Sequence, residues 1–210
     1  MSNLGYKISL PTRRDTFMEG VAKILLRLLG WRVAGDLPDT PKFVLVVAPH
    51  TSNWDFPIGL ICAYALGLTR WPYGYMMKLS VVKWPVLGWF MKSVGGIPID
   101  RGAARNVVEQ MAAIFQQHER LMLAITPEGT RSKTHYWKSG FYHIAKAAGA
   151  PIVLAFLDYG RKVGGLGPVF IPSGDAKADL DAIRQFYTGI TAKHPDQVGE
   201  IRFKDEEASA

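Results

Sequence analysis

His50 and Asp55 stand with four residues between them, inside the stretch FVLVVAPHTSNWDF over residues 43–56. Imidazole is the side chain whose unperturbed pKa lies near neutrality, so it can take up a proton and return it. A nearby carboxylate can hold one ring nitrogen as N–H and leave the other free as a base. The pair also admits a structural reading, with Asp55 as the N-cap of a following helix and His50 as a satisfied turn residue. Two further stretches carry complementary polar groups. Asp100 and Arg101 end GGIPIDR, and Glu128, Gly129, Thr130 and Arg131 stand in PEGTRS. The guanidinium fork matches a phosphate, so two arginines point to an anionic ligand. Gly129 permits a tight turn whose N–H groups can approach the same anion. Taken singly, the Asp-Arg pair also reads as a surface ion pair and the PEGT run as a plain turn.

Each of these stretches follows an apolar run. Residues 43–47 read as a buried strand ended by Pro49, and residues 73–77 as a strand ending at Lys78. Residues 95–101 read as a short strand entering a loop, and 120–126 and 151–157 as further strands. Residues 163–168 are glycine-rich, and 169–171 can pair as another strand. Between these runs, residues 57–68, 103–119, 141–148 and 176–193 have helix character, with Val107, Met111, Ile114 and Phe115 on one stripe and Gly149 as a stop. Residues 79–94 are aromatic and broken by Pro85 and Gly88; their side chains suit a core, a headgroup layer or an apolar groove. Strands alternating with helices predict an α/β fold, a mixed central sheet flanked by helices. Reacting groups on such scaffolds commonly sit at the carboxyl ends of strands.

Ahead of this domain, residues 16–31 are amphipathic: Phe17, Val21, Ile24, Leu25, Leu28 and Leu29 recur at helical spacing, Lys23 and Arg27 lie opposite, and Gly30 offers a stop. Such a helix can lie in a membrane interface or cover a sheet, and it is too short and too charged to span a bilayer. The expected division is a basic arm with an amphipathic membrane-association helix over 1–32, the main domain over 33–198 and a polar acidic tail over 199–210.

A chain of 210 residues, 48% apolar and 20% charged, can bury a core of its own. Its single cysteine, Cys62, excludes an internal disulfide and reads as a small core residue. The formal net charge of +7, despite Asp205, Glu206 and Glu207 near the end, favours an anionic partner: phosphorylated substrate, anionic lipid or nucleic acid. With no block of five basic residues, zinc-finger spacing or RNA-recognition signature, nucleic acid is set aside. Residues 1–12 lack the apolar core of a secretory signal. His118, His135, His143 and His194 lack ligand spacing, so neither metal nor cofactor is expected.

In order, the motifs resemble those of the glycerophospholipid acyltransferase family, whose best-known members are bacterial 1-acylglycerol-3-phosphate acyltransferases. HTSNWD over 50–55 is similar to the family's His-four residues-Asp block, GGIPIDR over 95–101 to the second, PEGTRS over 127–132 to the third, and APIV over 150–153 to the fourth. Lys78, with Pro85 and Gly88 behind it, and Lys138 with Gly140 resemble lesser landmarks. The likeness covers residues 44–157. Where family members often carry Asn before the histidine, this chain has Pro49; where they usually carry Phe in the second and third blocks, it has Pro98 and Thr126. The resemblance implies that His50 is a general base activating the acceptor hydroxyl, supported by Asp55, with no serine nucleophile. Arg101 would bind the acceptor phosphate with Arg131 and Lys78; Glu128 and Gly129 would help place the glycerol part, with Thr130 beside them as a further substrate-binding residue; Pro151 would shape the site or acyl channel. It implies lysophospholipid and acyl-CoA or acyl-carrier protein as substrates, phosphatidic acid as product, and peripheral or monotopic work at the cytoplasmic membrane face. Another lysolipid or an amine acceptor, a thioesterase, and a non-catalytic binder of anionic lipid are the alternatives; a mere binder has no need of His50 and Asp55. Oligomeric state is not legible.

Overall fold

The computed structural model describes residues 16–99 and 104–204, and of residues 78, 79, 81, 99 and 104–106 the backbone alone. Its strands are β1 (Arg32–Ala34), β2 (Lys42–Val47), β3 (Tyr73–Lys78), β4 (Gly96–Ile99), β5 (Leu121–Ile125), β6 (Ile152–Asp158) and β7 (Val163–Phe170). Its helices are α1 (Thr16–Leu28), α2 (Asp55–Leu66), α3 (Pro85–Ser93), α4 (Ala104–Gln117), α5 (Gly140–Ala148) and α6 (Ala176–Tyr187). The strands form one sheet in the order β1-β7-β6-β2-β5-β3-β4. β6, β2, β5, β3 and β4 run parallel, β7 turns back antiparallel on β6, and β1 runs parallel to β7. The mixed α/β sheet flanked by helices that the alternation predicts is therefore present, with the amphipathic helix ahead of it.

Period-two alternation sends the two faces of each central strand into different layers. Val44, Val46, Leu123, Ile125, Ile152 and Leu154 pack with Met111, Phe115, Ile144, Leu180 and Ile183 from α4, α5 and α6. Phe43, Leu45, Met122 and Val153 face the other way, toward Leu68, Trp71 and the flank of α2. On that side α1 buries Ala22 and Leu26 against Cys62 and Ala65 of α2, with Trp31 and Leu157 completing the cluster. Glu19 pins the helix further, accepting from Lys23 at 3.0 Å and Arg70 at 2.7 Å. α3 lies over the same sheet face: Tyr75 of β3 meets the Phe56 ring of α2 at 5.5 Å and donates its hydroxyl to the Met91 carbonyl at 3.0 Å. Among the described residues no helix is long and apolar enough to cross a membrane.

Several local expectations are corrected. Pro85 opens α3 instead of breaking the segment, because its missing N–H lies in the first turn, where no intrahelical partner is needed. Residues 163–168, read only as glycine-rich, are the first part of β7, which extends the strand expected over 169–171 toward the N-terminus. Their glycines answer crowding: a Cβ at Gly164 would meet Cys62 Sγ at 2.5 Å, and one at Gly167 would meet the Phe186 ring at 2.2 Å. The segment read as a polar tail from residue 199 packs inward as far as Phe203, which is buried beside Trp137 and Phe141. Residues 205–210 and the basic arm over 1–15 lie outside the described residues. α1 is shorter than the amphipathic pattern, ending before Gly30 so that Trp31 can turn into the core.

Candidate active site

Because β2, β5, β3 and β6 are parallel, their carboxyl ends share one edge of the sheet. The loop after β2 passes through a cis Ala48–Pro49 peptide and delivers His50 to that edge. Asp55 is the first residue of α2, whose N-cap is Trp54 without a side-chain cap bond. Its carboxylate points back over the loop. Asp55 Oδ2 accepts from the N–H groups of Thr51 at 2.9 Å and Ser52 at 2.8 Å and lies 3.0 Å from His50 Nδ1. Oδ1 accepts from the Tyr159 hydroxyl at 2.7 Å. The capping reading of Asp55 is thereby excluded.

Asp55 is buried, and burial by itself raises its pKa; hydrogen bonds from His50, Tyr159 and the Ser52 N–H outweigh that and hold the carboxyl below the ordinary value. An ionised carboxylate only accepts, so Nδ1 carries the proton and Nε2 of the neutral ring keeps its lone pair. The His50 side chain is 17% exposed, and among the described residues nothing is bonded to Nε2. Such an arrangement is chemically able to accept a proton at Nε2.

Glu128 follows β5 at the same edge but does not face solvent. Its Oε1 accepts from the His50 backbone N–H at 3.0 Å, and its buried Oε2 has no partner among the described residues. Burial pushes the Glu128 carboxyl up to about 7. Beneath it the single Tyr187 hydroxyl proton of α6 is shared between the carbonyls of Val46 and Ala155, each 3.0 Å away, on the paired strands β2 and β6. Gly129 takes φ +64°, a left-handed conformation that favours glycine in this turn, and the end of the Lys138 side chain lies against it. Thr130 and Arg131 are exposed on the same loop. The chain beyond α6 binds these loops together: the His194 N–H donates to Thr51 Oγ1 at 3.1 Å. With its amide nitrogen turned to donate, Gln197 reaches the carbonyls of Thr51 at 3.2 Å and Arg131 at 2.7 Å.

Of the residues singled out in the sequence, His50, Asp55, Glu128, Gly129, Thr130 and Arg131 are thus brought to one edge. Lys78 ends β3 at that edge, its backbone alone being described. Asp100 and Arg101 lie outside the described residues, two positions or fewer past the end of β4. Pro151 is not brought there. It precedes β6, and its carbonyl accepts from Val44 N–H near the start of β2, so it occupies the opposite edge of the sheet. Among the described residues no group of three or more His, Cys, Asp or Glu could hold a metal ion. Sequence reasoning missed Tyr159, Tyr187, His194 and Gln197. For Tyr159 a signal existed, since a polar residue just past a strand parallel to β2 must emerge beside His50.

Residues 32–155 match a family model described as Acyltransferase. The chain is 34% identical over 99 residues to a lyso-ornithine lipid O-acyltransferase of Pseudomonas aeruginosa, a match covering 47% of this chain and 34% of that protein. It is 28% identical over 122 residues to a chloroplastic 1-acyl-sn-glycerol-3-phosphate acyltransferase of Brassica napus, covering 56% and 33%. Over 125 residues it is 30% identical to a protein of Chlamydomonas reinhardtii that also bears the name 1-acyl-sn-glycerol-3-phosphate acyltransferase, covering 56% and 35%. The chain therefore spans about a third of the length of these relatives.

Proposed function

The chain belongs to the acyltransferase family, and from that premise we propose that it moves a fatty-acyl group from acyl-CoA or acyl-carrier protein to the free hydroxyl of a lysophospholipid. The acceptor that fits the cations is 1-acylglycerol-3-phosphate, giving phosphatidic acid. His50 Nε2 removes the hydroxyl proton as the oxygen attacks the thioester carbonyl. The C–S bond then breaks, and the imidazolium returns the proton to the leaving thiolate. Asp55 keeps Nδ1 protonated and offsets the charge that forms on the ring. No acyl-enzyme intermediate is required, because the acceptor itself is the nucleophile. Arg101, Arg131 and Lys78 hold the phosphate, and Gly129 with Thr130 shapes the turn beside the glycerol part. Glu128 serves from below, through the His50 backbone.

The observation that carries this reading is the 3.0 Å contact between His50 Nδ1 and an Asp55 carboxylate whose other bonds are all donated to it. A protein that only binds lipid has no use for such a base. His50→Ala and Asp55→Asn should each lower kcat for acyl transfer by about 10²–10⁴-fold, the usual worth of a positioned base, with liposome binding retained. Full transfer by purified His50→Ala would remove the base from the account.

The name of the P. aeruginosa relative supports a second reading of the acceptor, a lyso-ornithine lipid, whose aminoacyl headgroup has no phosphate for the arginines to grip. Arg101→Ala separates the two: it should weaken use of phosphate-bearing acceptors selectively. Membrane association at the cytoplasmic face is part of the proposal. Supporting it, α1 leaves Phe17 73%, Ile24 57% and Leu28 79% exposed, and α3 leaves Val86 82% and Trp89 71% exposed, in one helical layer of a basic protein.

A further inference from the structure

We propose that Tyr159 is a positioning residue of the His50–Asp55 pair, fixing the Asp55 carboxylate through its hydroxyl and tying that carboxylate to the seat of α1. The proposal rests on the reading of His50 as the base.

Asp55 could be held by its own loop alone, since the N–H groups of Thr51 and Ser52 both reach Oδ2. Two bonds to one oxygen leave the carboxylate free to pivot about it, and the plane of the group decides whether Oδ2 stays in line with the Nδ1–H. The Tyr159 hydroxyl, 2.7 Å from Oδ1, removes that freedom from the opposite side. It comes from a distant part of the chain, just past the end of β6, so it is not a by-product of the local turn.

The ring that carries this hydroxyl is itself clamped. Its backbone N–H donates to Thr191 O at 2.8 Å. The Trp31 ring meets it edge-on at 5.0 Å, and Lys193 Nζ lies 5.2 Å from its centroid on the strap following α6. Trp31 is buried in the cluster that holds Ala22 and Leu26 of α1 against α2. A continuous set of contacts thus runs from α1 through Trp31, Tyr159 and Asp55 to His50. The ionisable groups facing the pair are few: His50 and Glu128 beside Asp55, and Cys62 of α2 with Lys193 beside Tyr159. Burial raises the Cys62 thiol to about 12 and raises the Tyr159 phenol as well, so both remain protonated through the working range.

Tyr159→Phe in the full chain, with carbon-labelled aspartate, tests this. Losing a donor to a carboxylate raises its pKa, so the Asp55 carboxyl should titrate about 0.5–1 pH unit higher than in the wild type. The acid limb of kcat/KM for transfer from a long-chain acyl-CoA to 1-acylglycerol-3-phosphate should move the same way, with the acceptor KM unchanged. Fluorotyrosine at position 159, a stronger donor of the same shape, should move Asp55 in the opposite direction and serves if the phenylalanine variant fails to fold. An Asp55 titration unmoved by either substitution, or a uniform loss of activity at every pH, overturns the proposal. If Asp55 shifts but no lysolipid is acylated, the titration still supports the positioning contact while the acyl-transfer reading falls.

Discussion

At Asp55 four donors converge on two carboxylate oxygens, and that saturation favours one tautomer of His50, the one the proposed base requires. Glu128, the neighbouring acid, is held in the opposite way, by burial, with backbone N–H bonds alone and Oε2 left without a partner among the described residues. Its carboxyl is raised from 4.5 to about 7. Across that window the folded protein keeps a proton that the unfolded chain releases, so the Glu128 contribution favours folding at low pH and is lost as pH rises. Glu128→Gln keeps the accepting oxygen and abolishes the titration. From pH 5 to pH 8 its unfolding free energy should therefore gain on the wild type by on the order of 1–3 kcal/mol, measured by urea unfolding at both pH values. A difference that stays constant would show that Glu128 does not titrate in this range. His50 and Asp55 were legible in the sequence because their contact spans five residues and one turn. The bonds from Glu128 and Tyr159 join segments 78 and 104 residues apart, and no local pattern encodes those.

Helices α1 and α3 show what periodicity does and does not disclose. The apolar stripe of α1 was visible, but it is wider than its burial: Ala22 and Leu26 satisfy the packing on α2, while Ile24 and Leu28 stay 57% and 79% exposed. Replacing Ile24 and Leu28 with serine removes exposed side chains, so the melting temperature should hold while cosedimentation with anionic vesicles falls at least about 100-fold. Each buried apolar side chain is worth about 1.5–3 kcal/mol at an interface. Unchanged sedimentation would remove α1 from the membrane contact. Only the end of β7 was legible, for the converse reason. Gly164 and Gly167 carry a turn signal in composition, yet they are required by Cys62 and Phe186, which reach them from α2 and α6.

Across the whole molecule, parallel pairing of β2 with β5 and β6, and of β3 with β5, gathers residues from all along the chain at one sheet edge. The same pairing sends Pro151 to the other edge, although it sits in a motif with the rest. A linear motif records order, and strand direction decides which end faces the substrate. The positive charge of +7 and the uncovered apolar surface of α1 and α3 then suit an enzyme whose acceptor carries a phosphate and resides in a membrane. Incubating the full chain with labelled acyl-CoA and a panel of lysolipids in vesicles, and identifying the labelled product, tests this most directly. The account predicts labelled phosphatidic acid from 1-acylglycerol-3-phosphate, absent when His50 is alanine. Label released only as free fatty acid, or acyl transfer that persists without the imidazole, would contradict it.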